Sequence, residues 1–75
     1  MPFIDIKVIK GVFSAEEKQR LVESVSEAVI AVEGEGLRRF THAAITETPS
    51  GEWAIGGTAM TAEHVRGARS APRAD

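Results

Sequence analysis

An amphipathic stretch held between two strand-like segments constrains this chain more than any other feature. Leu21, Val22, Val25, Ala28, Val29 and Val32 recur at the 3.6-residue period and form one apolar stripe, while Glu16, Lys18, Gln19, Arg20, Glu23 and Glu27 mostly occupy the rest of the surface. Ser14 and Glu17 have the spacing of a capping box, in which the serine hydroxyl accepts from the Glu17 amide and the glutamate side chain accepts from the serine amide. A helix therefore begins at Ser14, and Gly34 and Gly36 break it.

The flanking segments have a different period. Over residues 3–10, Ile4, Ile6 and Val8 alternate with Asp5 and Lys7, the pattern of a half-buried strand, and Gly11 ends it. Residues 40–47, rich in Thr, Ile and Ala and bounded by Pro49, Ser50 and Gly51, read as a second strand. A long helix between two strands makes a right-handed crossover joining parallel neighbours the natural connection. The fold class is then α+β, a β-α-β subunit with one long helix. Helix on one side only leaves a second sheet face that is expected to be apolar and to bury itself against another copy. A core formed within 75 residues also buries only about 60% of the unfolded chain's surface, which again favours an oligomer.

Residues 53–57 form a short Gly-rich segment suited to a hairpin or an intersubunit strand, and residues 61–66 suit one helical turn. The domain is expected to span residues 1–66. Residues 67–75, with no periodic apolar positions, are expected to form a disordered tail.

Composition removes several classes of function. With 43% hydrophobic and 27% charged residues and no long apolar run, nothing supports a membrane role. A formal net charge of −2 argues against nucleic acid, whose binders gather a basic excess. The opening residues lack the pattern of a secretory signal and the chain has no cysteine, so a cytoplasmic location is expected. His42 and His64 lack the clustered Cys, Asp or Glu that a metal site needs, and the glycines form no phosphate-binding fingerprint.

Pro2 is the residue with unusual chemical potential. Inside a chain its nitrogen is a non-basic amide, but removal of Met1 makes it a secondary amine whose pKa the surroundings can tune. An amine held neutral near pH 7 can act as a general base or attack a carbonyl. The plain alternative is a proline that opens an edge strand, where its missing amide donor costs nothing.

Pro2-Phe3-Ile4, the Gly11 turn, the helix start Ser14-Ala15-Glu16-Glu17-Lys18, Ile45-Thr46-Glu47 and Trp53-Ala54-Ile55-Gly56-Gly57 together resemble the 4-oxalocrotonate tautomerase family over residues 2 to about 60. The resemblance implies β-α-β subunits that dimerise and assemble into a hexamer, with active sites at subunit boundaries, Pro2 as catalytic base and no metal or organic cofactor. It further implies proton transfer between an enol, or a 2-oxo acid, and its tautomer, with Trp53 lining the pocket. As an apolar wall Trp53 would disfavour protonated Pro2. A core tryptophan is the structural alternative.

The two arginines that hold substrate carboxylates in the best-known family members are missing. Gly11 is followed by Val12 and Phe13, and the place of the second arginine falls on His42. Alternation puts His42, Ala44 and Thr46 on one strand face, where His42 serves either the pocket or the fold. Arg38 and Arg39, just before that strand, could supply the cation or could be a solvated basic pair. These departures leave two other readings open. One is hydration or dehalogenation of an unsaturated acid, with Glu52 activating water, and the other is a non-catalytic partner subunit of a mixed hexamer.

Overall fold

Residues 2–70 are described in the structure, a computed structural model of the chain. The order is β1 (Phe3–Ile9), α1 (Ala15–Glu33), a 3-10 helix (Glu35–Phe40), β2 (His42–Thr48), β3 (Trp53–Ile55), β4 (Thr58–Met60) and α2 (Ala62–Ser70). β1 and β2 are hydrogen-bonded parallel neighbours. They flank α1 as a β-α-β crossover. The chain folds into two compact units, residues 2–7 with 13–46, and residues 8–12 with 47–70.

In the first unit, the capping box forms as its spacing requires. The Ser14 amide donates to Glu17 Oε1 at 3.0 Å and the Glu17 amide to Ser14 Oγ at 3.1 Å, an arrangement whose loss costs about 1 kcal/mol. Leu21, Val22, Val25 and Val29 are half-buried, as the stripe predicts, but Ala28 and Val32 are exposed, Val32 at 89%. The burial passes instead to Ile30, 5% exposed, with Ser26 and Glu33 beside it. The covered positions 22, 25, 26, 29, 30 and 33 still follow the helical period, on a face turned slightly from the one read in the sequence, and the 3-10 helix contacts α1. That element takes the place of the expected start of β2, which begins at His42. Gly34, at φ +107°, ends α1, and its amide still donates to the Ile30 carbonyl at 2.9 Å.

Ile4, Ile6, Ala43 and Ile45 alternate with more exposed neighbours and form the screened side of the strands. The other side corrects the expectation of an apolar face. It presents Phe3, Asp5, Lys7, His42, Ala44 and Thr46. Its polar groups are paired: Thr46 Oγ1 donates to Asp5 Oδ1 at 2.9 Å, and Lys7 Nζ lies 3.1 Å from Asp5 Oδ2. Alternation through Val8 places Ile4 and Ile6 on one face and Asp5 and Lys7 on the other, and Ile9, buried at the end of β1, breaks it, so the exposed part of the open face has Phe3 as its large apolar group.

The second unit buries Ile9, Val12 and Ala62. β3 and β4 form an antiparallel hairpin with Trp53 opposite Met60 and Ile55 opposite Thr58. Its two turn residues, Gly56 and Gly57, have φ of 58° and 84°, the left-handed pair that matches the twist of a two-residue hairpin. Thr61 Oγ1 accepts from the His64 amide at 3.2 Å and caps α2. The helix runs to Ser70, so residues 67–70 continue it where the sequence suggests the tail has begun. The remaining residues expected in that tail, 71–75, lie outside the described residues.

Candidate active site

Pro2 stands at the head of β1, half-buried, and its carbonyl accepts from the His42 amide at 3.1 Å. The bond ties Pro2 to the first residue of β2. The His42 ring, exposed, stacks on Phe3 with centroids 6.4 Å apart and planes 24° from parallel. Pro2, Phe3 and His42 thus gather at one end of the parallel pair. Alternation predicts which face His42 takes, and pairing with β1 supplies its neighbour.

Arg38 is engaged by two carboxylates. Its Nη1 and Nη2 donate to Glu27 at 2.5 and 3.0 Å, and its Nε and Nη2 donate to Glu35 at 2.6 and 3.1 Å. These bonds account for four of the five donors of a guanidinium, and a substrate carboxylate would compete with both glutamates for them. The i,i+3 partner Glu35 is legible in the sequence, but Glu27 is 11 positions away and meets Arg38 only after the 3-10 helix folds onto α1. Arg39 lies over the Phe40 ring at 4.8 Å from its centroid.

An open groove of about 660 Å³ runs along this part of the first unit, lined by residues that include Val22, Glu27, Ile30, Arg38, Thr41 and His42. Thr41, which sequence reasoning missed, donates toward Glu33 and the Leu37 carbonyl at the groove's edge. Trp53 and Glu52 belong to the second unit. There Trp53 is half-buried at the start of β3, and the Glu52 amide donates to the Pro49 carbonyl at 3.0 Å. Among the described residues, no three His, Cys, Asp or Glu side chains gather to hold a metal, and no helix is long and apolar enough to cross a membrane.

Arg38 holds the Glu27 and Glu35 carboxyls below the usual glutamate range, and they in turn push its own pKa up. The Thr46 hydroxyl, followed by Lys7, lowers Asp5. Because the folded chain binds protons at these sites less readily than the unfolded chain, their stabilisation is complete above the ordinary carboxylate value of about 4 and fades as pH falls through the lower folded values. Glu27→Gln combined with Glu35→Gln is expected to flatten the loss of stability between about pH 4.5 and 3, measured by denaturant unfolding at each pH. Parallel curves for variant and parent would remove the clamp from acid stability.

Comparison with known proteins places the chain in a family. The family model described as tautomerase enzyme matches residues 2–63. The protein called probable tautomerase K2 of Dickeya dadantii (strain 3937) is 31% identical over 61 residues, covering 81% of this chain and 90% of its own. A solved 4-oxalocrotonate tautomerase isozyme from Methylibium petroleiphilum superposes with a TM-score of 0.69 at 28% identity, over 85% of this chain and 97% of its own. DmpI from Helicobacter pylori gives 0.66 at 31% identity, over 88% and 97%. The agreement runs through strand, crossover helix and second strand, and on these grounds the chain belongs to the tautomerase family, with the fold of the 4-oxalocrotonate tautomerases.

Proposed function

We propose that this chain is a cofactor-independent keto-enol tautomerase in which Pro2, exposed as an amino terminus by removal of Met1, is the general base. One observation carries the reading: the residue at which the family match begins is also the residue anchored to β2 through the His42 amide. A terminal amine tied down by its own carbonyl is held in one place, as proton transfer to a fixed acceptor requires.

The chemistry is a proton relay. The Pro2 nitrogen takes the enol hydroxyl proton, the oxygen's electron pair forms the carbonyl, and the displaced π electrons accept the same proton at carbon. The reverse direction begins at the α-carbon of a 2-oxo acid. An α-amine has an ordinary pKa of about 7.7–8.0, and apolar surroundings or a neighbouring cation lower it toward the working pH. Arg39 and His42 orient the acidic end of the substrate. Arg38, committed to Glu27 and Glu35, contributes by fixing the 3-10 helix that carries Arg39. The active assembly in this reading is a homo-oligomer, a hexamer of cytoplasmic subunits, that acts on a small enol or 2-oxo acid.

Purified protein is expected to accelerate ketonisation of phenylenolpyruvate and 2-hydroxymuconate over the buffer rate, followed by ultraviolet absorbance. Arg39→Ala and His42→Ala are each expected to raise KM about tenfold with a smaller change in kcat, the signature of lost ground-state anchoring. Rates indistinguishable from buffer on both substrates would reject the assignment. Halide release from 3-haloacrylates in the absence of ketonisation would move it to the dehalogenase reading.

A further inference from the structure

Helix α2 brings two guanidinium groups onto the turn that follows β1. Arg66 and Arg69 stand one helical turn apart on one face of α2. Arg66 Nη1 donates to the Gly11 carbonyl at 2.7 Å, and Arg69 Nη1 donates to the Val12 carbonyl at 3.0 Å. With Val12 and Ser70 they line an open pocket of about 300 Å³. The Ser70 hydroxyl donates to the Arg66 carbonyl at 3.2 Å.

The bond to Gly11 orients Arg66 without neutralising it. A carbonyl carries no formal charge, and the bond occupies one of the five donors of the guanidinium. Orientation also removes part of the rotamer freedom that a long side chain loses on binding a ligand. Gly11 sits at φ +94°, a backbone conformation that favours glycine, and Arg66 Nη1 and Ala62 Cβ pack at ordinary contact distance, 3.5 Å from where a Cβ would stand. A planar fork held ready at a pocket that carries a second arginine suits an oxyanion, which can accept paired N–H bonds.

We infer that the pocket formed by Val12, Arg66, Arg69 and Ser70 is a binding site for a small oxyanion, a carboxylate or a phosphate, gripped by the Arg66 guanidinium. The site is independent of the role given to Pro2 and is read by binding alone.

The test is a titration of the full-length protein with sodium pyruvate, inorganic phosphate or sodium chloride at constant ionic strength, following backbone amide resonances. Saturable shifts at Val12, Arg66 and Ser70 are expected with pyruvate or phosphate and not with chloride, and the tighter of the two identifies the carboxylate or phosphate source. Arg66→Gln is expected to weaken that binding about tenfold, as loss of a charge-assisted pair should. Arg66→Lys, which keeps the charge but loses the fork, is expected to weaken it by less. Shifts that rise linearly, that chloride reproduces, or that persist unchanged in Arg66→Gln would overturn the inference. If circular dichroism shows Arg66→Gln unfolded, affinity unchanged in Arg66→Lys overturns it instead.

Discussion

Pro2→Ala is expected to slow ketonisation of 2-hydroxymuconate and phenylenolpyruvate by about a hundredfold, with most of the loss in kcat. Alanine is small enough in second place to permit methionine removal, so the variant also ends in an amine. That amine is primary and rotates freely, whereas the proline ring locks its nitrogen to the backbone that the His42 amide holds. The comparison therefore isolates positioning and basicity of the ring nitrogen from the mere presence of a terminus. The rising limb of kcat/KM against pH reports the free enzyme's base and is expected below the ordinary α-amine range of about 7.7–8.0. Equal rates in the two proteins would take Pro2 out of the mechanism.

The largest expected effect on stability is at Ile30. Truncation to alanine removes the one buried side chain of α1 and is expected to cost about 3 kcal/mol. In a domain of this size that lowers Tm by roughly 10–20 °C. Val32→Ala, two residues along, is expected to change stability by less than about 0.5 kcal/mol because that side chain is 89% exposed. Urea unfolding of both variants compares the two positions directly. A larger cost at Val32 than at Ile30 would restore the stripe inferred from periodicity and contradict the burial of Ile30 and the exposure of Val32.

That contrast marks where the sequence stops being legible. Local signals survived: the Ser14–Glu17 cap and the alternation of β1 through Val8 are set by neighbours a few residues apart, and the parallel pairing follows from the long helix between the two strands. The 3-10 helix was missed because Gly34 and Gly36 read as breakers, while the contacts that hold Glu35–Phe40, chiefly Arg38 to Glu27, form only in three dimensions. The open sheet face was misjudged for the opposite reason. Topology argued for an apolar surface although Asp5 and Lys7 already stood on that side of the alternation.

The candidate site divides in the same way. Pro2 and His42 were readable from position and alternation, and their backbone bond brings them together. Arg38 carried the right charge, but its partners were hidden from a linear reading. Arg66 and Arg69 sat in a stretch with no apolar period, and only the turn at Gly11 reveals what α2 places there.

All of the proposed chemistry depends on a titratable ring nitrogen, and intact-mass spectrometry of an active preparation tests for it most directly. The account predicts a dominant species shorter by one methionyl residue, beginning at Pro2. Met1 retained on every molecule of a preparation that still ketonises its substrate would contradict it.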